Sequence, residues 1–318
     1  MEFRKLVLLT LATILSGTTA HSAGLELSRH KIERADGSEI DYYVGRRGSR
    51  ERQPVLVVMQ GSDCRSILEH STIEEYTEIA PNHAVLFVET YGVSGGITRT
   101  GGDDQVDCPD SYLRHNSLER RILDYVRVLA ELRRNSPWWD GTLIILAGSA
   151  GTYVAERVAV LVPETDRLVI FGFGARKLES DVLFSIKASF DAGGLQPEKR
   201  DQQLAEVKKM FQEIVNNPTP NKNASGHSFK WWASMLEFDQ LVALQDVQVP
   251  VLAIQGARDQ NVSPDGARML IRELQARGRT NVSYREYEDL DHGFVDSEGR
   301  SQKRRVISDI RQWLERNL

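Results

Sequence analysis

Cysteine is scarce in this chain, and so are long apolar runs and clusters of basic residues. Only two of the 318 residues are cysteines, and because no histidine cluster accompanies them, a zinc site is excluded. Beyond the amino-terminal segment, no stretch is apolar for long enough to cross a bilayer. The formal net charge is −5 and basic residues are spread along the chain, so it lacks the footprint of a nucleic-acid-binding protein.

The amino-terminal segment has the layout of a secretory signal peptide. Arg4 and Lys5 precede an apolar run at 6–15, and small residues follow it up to Ala20. Cleavage after Ala20 or Ala23 fits this layout, so we expect a signal peptide over 1–23 and a periplasmic or secreted protein. The run is about half as long as a bilayer crossing requires, so we expect no stable membrane anchor. The alternatives are an uncleaved anchor or a disordered tail.

Export changes the interpretation of the two cysteines, Cys64 and Cys108. In an oxidising compartment an isolated pair is usually a disulfide. The chain-entropy model values the loop that this pair would close at about 4 kcal/mol of stability. The sequence therefore predicts a Cys64–Cys108 disulfide, and the alternative is two unrelated buried thiols.

The pattern of apolar residues predicts an α/β fold. Two alternating runs, at 25–34 and 39–44, flank a turn at Asp36-Gly37 and predict an antiparallel hairpin. From residue 54 onward the apolar runs do not alternate, which is typical of strands buried on both faces of a parallel sheet. These runs lie at 54–59, 84–88, 142–146, 168–171 and 249–254. Helical patterns separate most of them, so the sequence predicts a mostly parallel sheet flanked by helices.

The segment at about 175–230 interrupts this alternation of strands and helices. It contains an amphipathic helix at 197–217 and then a polar, turn-rich loop at 216–226. We interpret the segment as a small helical cap inserted over the carboxyl edge of the sheet, where it would control access of substrate. The alternative is a surface decoration without a role in access.

Ser149 occupies a sharp turn between a predicted strand and a predicted helix. The segment 142–151 reads strand, turn, helix, and Ser149 stands between Ala147 and Gly151 in the pattern small-x-Ser-x-small. Such a turn lifts the hydroxyl above the sheet edge, where a base can reach it. A serine needs this help because its hydroxyl is a poor nucleophile at neutral pH.

The partners of a serine nucleophile follow in the order acid, then base. Asp259 comes directly after the strand at 249–256, and His292 lies in the loop after the last predicted strand, in Asp291-His292-Gly293. An acid that orients a histidine, which in turn activates a serine, is the arrangement of a catalytic triad. The alternatives are that Asp259 caps a helix, or that Asp291 is the acid; we interpret Asp291 as part of the loop structure.

An oxyanion hole is the remaining requirement for acyl transfer. One donor is expected to be the backbone N–H of Ala150, directly after the nucleophile. The other is expected in the loop that follows the strand at 54–59, where Gly61 permits a tight turn and the N–H of Ser62 is the candidate. An ordinary strand-to-helix turn is the alternative interpretation of this loop.

On these residues the chain resembles the α/β-hydrolase superfamily. The resemblance is carried by Gln60-Gly61-Ser62, Ala147-Gly-Ser149-Ala-Gly151, Gly256-Ala-Arg-Asp259 and Asp291-His292-Gly293. It implies an eight-stranded, mostly parallel sheet whose second strand is antiparallel, and a cap inserted after the sixth strand, within one domain at 24–318. It also implies that Ser149 is the nucleophile, Asp259 the acid and His292 the base.

Two positions depart from the superfamily pattern. Ala147 replaces the first glycine of the nucleophile turn, and Gln60 stands where many relatives have histidine. Neither change removes a catalytic group. The chain looks most similar to single-domain members near dienelactone hydrolases, acyl thioesterases and prolyl oligopeptidase-like enzymes.

The function expected from these features is that of an exported serine hydrolase. It would cleave carboxylic esters or thioesters of a small-molecule acyl substrate through an acyl-enzyme, with no metal, no cofactor and no nucleic-acid partner. The alternatives are a serine peptidase of prolyl oligopeptidase-like type, or a non-catalytic binding protein on a hydrolase scaffold. The sequence leaves the oligomeric state open.

Overall fold

The computed structural model describes residues 25–47, 50–69, 73–93, 108–194 and 196–316. The predicted signal peptide at 1–23 lies outside the described residues. So does most of the acidic stretch at 100–110. No helix within the described ranges is long and apolar enough to cross a membrane.

Among the described residues, ten strands form a large sheet and a small hairpin. The strands are β1 (Leu27–Glu33), β2 (Glu39–Gly45), β3 (Gln53–Met59), β4 (Ala84–Val88), β5 (Trp139–Gly148), β6 (Thr165–Phe171), β7 (Asn223–Ala224), β8 (His227–Ser228), β9 (Val251–Gly256) and β10 (Val282–Tyr287). Eight of them form one sheet in the order β1-β2-β4-β3-β5-β6-β9-β10. Only β2 runs against its neighbours. The predicted sheet and its antiparallel second strand are therefore confirmed.

In the described part of the chain, ten α-helices flank the sheet or follow its strands. They are α1 (Ile73–Thr77), α2 (Asp110–His115), α3 (Leu118–Asn135), α4 (Gly151–Leu161), α5 (Leu178–Ala192), α6 (Pro197–Asn216), α7 (Phe229–Glu237), α8 (Gln240–Asp246), α9 (Pro264–Ala276) and α10 (Lys303–Arg316). Residues of α3, α4 and α9 share one apolar core with one face of the sheet. Residues of α10 cover the other face.

Strand β3 shows why the central strands lack alternation. Val55 and Val57 point into the core on one face of the sheet, while Leu56 and Val58 point into the core on the other face. Because successive side chains of a strand face opposite sides, a strand covered on both sides must be apolar at every position. Each such buried side chain contributes about 1.5–3 kcal/mol relative to exposure.

The chain between β6 and β9 forms helices α5 to α8 and the β7–β8 hairpin. Helix α6 matches the amphipathic helix predicted from the sequence and buries Phe211 and Ile214. The Trp232 ring lies 5.8 Å from the Phe211 ring, and Trp231 and Trp232 meet edge to face at 5.1 Å. These tryptophans therefore pack the segment together. The proposed role of the segment in access stays a prediction.

Cys64 and Cys108 form the predicted disulfide. Their Cα atoms are 5.7 Å apart, and they are separated by 44 positions in the sequence. Both sulfur-bearing side chains are buried in a small cluster with Val93 and Tyr112. The bond therefore anchors the loop after β3 to the chain just before α2.

Removal of this disulfide is expected to destabilise the protein by about 4 kcal/mol, because the unfolded chain gains the entropy of an open loop. The test is urea unfolding of a Cys64→Ser/Cys108→Ser double variant, which leaves no free thiol. The unaltered protein under reducing conditions serves as the matched comparison. The double variant and the reduced protein should unfold at lower urea concentrations than the oxidised, unaltered protein. Equal unfolding midpoints of these three samples would contradict the expectation.

Candidate active site

Ser149 lies in a strained turn between β5 and α4. Its φ angle is +53°, a left-handed conformation that costs a residue with a side chain about 1–3 kcal/mol. The turn is held by a hydrogen bond from the Ser149 N–H to the Phe171 carbonyl at 3.0 Å, and by the Thr152 N–H and hydroxyl, which both donate to the Ser149 carbonyl. This is the backbone shape that the small-x-Ser-x-small pattern predicts.

Close packing explains which neighbours of Ser149 must lack a side chain. A Cβ atom at Gly148 would stand 2.2 Å from the Phe171 ring, and one at Gly151 would stand 2.6 Å from the Gln60 carbonyl oxygen. Ala147 instead pairs with Met59 and Ile170 inside the sheet, and the buried methyl group fits there. The alanine in place of the first glycine is therefore compatible with the turn.

Asp259 is a fully buried carboxylate with four hydrogen-bond donors. One oxygen accepts the backbone N–H groups of Asn261 at 2.8 Å and Val262 at 3.0 Å. The other accepts the Gln255 side-chain amide at 3.0 Å and Nδ1 of His292 at 2.7 Å. These four donors hold the carboxylate in one orientation and offset the desolvation free energy of burying it.

His292 is the predicted base, and its environment favours a proton acceptor at Nε2. Because Nδ1 is bonded to Asp259, Nε2 is the nitrogen left to meet another group. The side chain keeps 20% of its exposure, in contrast to Asp259. Burial disfavours the charged imidazole, but the nearby carboxylates of Asp259, Asp291 and Asp181, with Asp259 contributing most, together outweigh burial, so the pKa of His292 is raised above its ordinary value.

The end of β6 brings Ser149 and His292 to the same place. Phe171 accepts the Ser149 N–H, and the next residue, Gly172, lies directly under the His292 ring. A Cβ atom at Gly172 would stand 2.8 Å from Cε1 of that ring, and its φ of +59° also favours glycine. Sequence reasoning missed both residues, although a glycine directly after a buried strand was a signal for close approach.

The loop that carries His292 is fixed by residues on either side of it. The Asp291 carboxylate accepts the N–H groups of Gly293 at 2.9 Å and Val295 at 2.8 Å, so it organises the loop, as interpreted from the sequence. Phe294 has a φ of +60° and is buried. Its ring lies 5.4 Å from the Phe171 ring, which ties this loop to the end of β6.

The loop after β3 approaches Ser149 and carries free backbone donors. A Cβ atom at Gly61 would stand 3.4 Å from the Ser149 Cβ. In the described part of the chain, the N–H groups of Gly61, Ser62 and Ala150 have no acceptor. The donors expected for an oxyanion hole, at Ser62 and Ala150, are therefore available to a ligand.

A second buried carboxylate, Asp181, bonds the loop that carries Asp259. It accepts the N–H of Ala175 at 2.8 Å and that of Ser263 at 2.8 Å, so it joins the chain after β6 to the loop that carries Asp259. Burial raises the pKa of Asp181 to about 7, although these N–H bonds lower it. Sequence reasoning missed Asp181 because no motif surrounds it.

Protein groups cover the aromatic ring that follows β4. The Tyr91 ring, at the end of β4, is covered by the guanidinium groups of Arg34 at 4.4 Å and Arg120 at 5.3 Å. Across the described ranges, no three His, Cys, Asp or Glu side chains group so that they could hold a metal ion.

Sequence comparison relates parts of the chain to known hydrolases. Residues 201–318 match the model of the prolyl oligopeptidase family. Esterase EstD of Thermotoga maritima is 25% identical over 202 residues, which are 60% of this chain and 46% of that protein. The chain thus spans about half the length of this curated relative.

Solved structures match almost the whole fold. An acylaminoacyl peptidase of Pyrococcus horikoshii superposes with a TM-score of 0.63 at 15% identity, over 92% of this chain and 42% of that chain. An esterase of Pyrococcus furiosus superposes with a TM-score of 0.59 at 14% identity, over 96% of this chain and 95% of that chain. These likenesses, with the sheet order described above, show that the chain has the α/β-hydrolase fold.

Proposed function

We propose that the protein is a serine hydrolase that cleaves carboxylic esters or thioesters through an acyl-enzyme on Ser149. The observation that carries the proposal is the 2.7 Å bond between Asp259 and His292 at the strand end that also binds Ser149. The strained turn, the oriented histidine and the free backbone donors are the parts that acyl transfer requires.

The proposed reaction begins when Nε2 of His292 accepts the proton of the Ser149 hydroxyl. The serine oxygen then attacks the carbonyl carbon, and the resulting oxyanion accepts hydrogen bonds from the N–H groups of Ser62 and Ala150. His292 returns the proton to the leaving alcohol or thiol, which leaves the acyl group on Ser149. A water molecule, activated by His292, releases the carboxylic acid in the second half of the cycle.

Esters are favoured over peptides as substrates, although two observations support peptides. EstD and the Pyrococcus furiosus protein are named esterases, and the latter is covered almost from end to end. The match to the prolyl oligopeptidase family and the likeness to an acylaminoacyl peptidase support peptide cleavage as the second candidate. That peptidase is much longer than this chain, which covers 42% of it.

Replacement of Ser149 tests the nucleophile. We expect Ser149→Ala to lower kcat on a p-nitrophenyl ester about 10⁶-fold, because the acyl-enzyme can no longer form. A fluorophosphonate probe should label the unaltered protein and leave this variant unlabelled. Ser62→Ala is the matched control, since it removes a nearby hydroxyl but keeps the backbone donor, and it should be labelled normally.

Two results would contradict this proposal. One is equal labelling of Ser149→Ala and the unaltered protein; the other is no labelling of the folded, unaltered protein, as a non-catalytic scaffold would give. Rates on short p-nitrophenyl esters and on peptide p-nitroanilides, measured with the same preparations, separate the two substrate classes. We expect the ester to be cleaved faster.

The pH dependence of catalysis tests the acid–base pair. His292 must be neutral to accept a proton, so kcat/KM should rise with pH through a pKa above the ordinary histidine value of about 6.5. Asp259→Asn removes the carboxylate that raises this pKa. We therefore expect the acid limb of the profile to move to lower pH, while kcat falls about 10⁴-fold.

The matched control for Asp259→Asn is Asp291→Asn. Its amide oxygen can still accept the N–H bonds of Gly293 and Val295, so kcat should change little. A profile of Asp259→Asn with an unmoved acid limb, or an equal loss of activity in both variants, would argue against Asp259 as the acid.

We further propose that the protein is exported to the periplasm or secreted after removal of its signal peptide. The support is the charged, apolar and small-residue order of the first residues and the presence of a disulfide, which persists in oxidising compartments.

Expression in a bacterial host with a periplasm tests the export proposal. The intact mass of the protein recovered outside the cytoplasm should equal that of a chain lacking residues 1–20 or 1–23. A Leu9→Arg variant, which places a charge in the apolar run, should retain its leader and stay inside the cell. Full-length, unaltered protein in the cytoplasm would overturn the proposal.

A further inference from the structure

Three consecutive carbonyl groups of the loop after β3 are held by two buried side chains. Arg121, on α3, donates from Nη2 to the Gln60 carbonyl at 2.6 Å and from Nη1 to the Gly61 carbonyl at 3.0 Å. Tyr112, on α2, donates from its hydroxyl to the Ser62 carbonyl at 3.0 Å. Arg121 and Tyr112 are 4% and 1% exposed, so these bonds are shielded from water.

Holding a carbonyl also aims the N–H on the other side of the same peptide. The peptide group is planar and trans, so the Gly61 carbonyl and the Ser62 N–H point in opposite directions. Arg121 pulls the Gly61 carbonyl to its own side, which turns the Ser62 N–H away from the guanidinium. That N–H has no acceptor among the described residues, while the Cα of Gly61 faces the Ser149 side chain.

Among the described residues, Arg121 has no ion pair that would account for its burial. The comparably buried Arg34 bonds both oxygens of Asp124, whereas in the described part of the chain no carboxylate pairs with Arg121. A buried guanidinium without a counter-ion is costly, and a purely structural core position would favour an apolar residue. Among the described residues, the guanidinium of Arg121 donates its hydrogen bonds to the Gln60 and Gly61 carbonyls.

The tyrosine contact extends to the segment between β6 and β9. Nδ1 of His227, in β8, lies 3.3 Å from the Tyr112 hydroxyl. The His227 ring stacks on Trp231 at 3.8 Å. Burial lowers the pKa of His227 to about 3, with the charge of Arg121 adding to this effect, so the imidazole is neutral and can donate to the tyrosine oxygen without adding charge.

We propose that Arg121 is a positioning residue that holds the Gln60–Ser62 peptides so that the Ser62 N–H faces the oxyanion formed at Ser149, with Tyr112 fixing the next peptide. This inference rests on the proposed serine hydrolase function. It assigns to a buried arginine an effect on the transition state of the reaction, where the carbonyl oxygen becomes an anion, more than on the bound substrate.

The main test replaces Arg121 by methionine, which keeps the length and apolar part of the side chain. Arg121→Met should lower kcat on the p-nitrophenyl ester about 10²–10³-fold, the usual effect of losing one oxyanion donor, with little change in KM. The inhibition constant of an alkyl boronic acid, whose adduct with Ser149 mimics the tetrahedral state, should rise by a similar factor. Binding of the ether isostere of the ester should be unchanged.

Two further variants protect the test against a failure to fold. Arg121→Lys keeps the charge but can hold the carbonyls less well, so it should recover part of the lost kcat. Tyr112→Phe removes one bond at constant shape and should lower kcat about fivefold. Arg34→Met, a comparably buried arginine away from the loop, is the matched control and should keep the ratio of boronic acid binding to ether binding.

The outcomes separate this inference from the proposed function. If the unaltered protein cleaves the ester while folded Arg121→Met keeps its kcat, or loses boronic acid and ether binding equally, the positioning role is wrong. If the unaltered protein cleaves no ester and reacts with no fluorophosphonate, the proposed function is wrong and this inference falls with it.

Discussion

The end of strand β6 is the point on which the rest of the site depends. Phe171 receives the Ser149 N–H and packs its ring against Phe294 in the loop that carries His292. Gly172 leaves room for the His292 ring itself. Two loops separated by more than a hundred positions therefore meet on one short piece of backbone. A larger residue at position 172, or a displaced Phe171, would move Ser149 and His292 apart.

The site contains unfavourable backbone conformations, which its hydrogen bonds stabilise. Ser149 and Phe294 both have φ angles near +60°, and each costs about 1–3 kcal/mol. The stabilisation comes from two buried carboxylates. Asp259 accepts hydrogen bonds from four donors, and Asp181 joins the chain after β6 to the loop that carries Asp259. Rigid support of this kind allows a catalytic group to keep its orientation before the substrate arrives.

The amino-acid sequence predicted the elements whose signals are local. The apolar runs without alternation predicted the central strands, and their alternation with helices predicted a mostly parallel sheet. The antiparallel second strand was implied by the family resemblance, and helix α6 was predicted from its apolar stripe. The hydrogen bond from Ser149 to Phe171 and the close packing of Gly172 under the His292 ring were missed, as was Arg121, because each depends on a contact distant in sequence. Arg121 lies in an ordinary amphipathic helix, and only the fold shows that it reaches the Gln60 carbonyl.

Two buried charged groups, the Asp259 carboxylate and the Arg121 guanidinium, support the groups that would carry charge in the proposed reaction. When the serine oxygen attacks, positive charge develops on His292 and negative charge on the substrate oxygen. The buried Asp259 carboxylate contacts the histidine, and the buried Arg121 guanidinium bonds the loop that presents the Ser62 N–H. The Asp259 charge is opposite in sign to the one that forms on His292, whereas Arg121 acts on the oxyanion through the peptide whose N–H it orients. Because both are in place before the reaction, the charge separation needs little rearrangement of the protein, and this is where preorganised groups lower a barrier most.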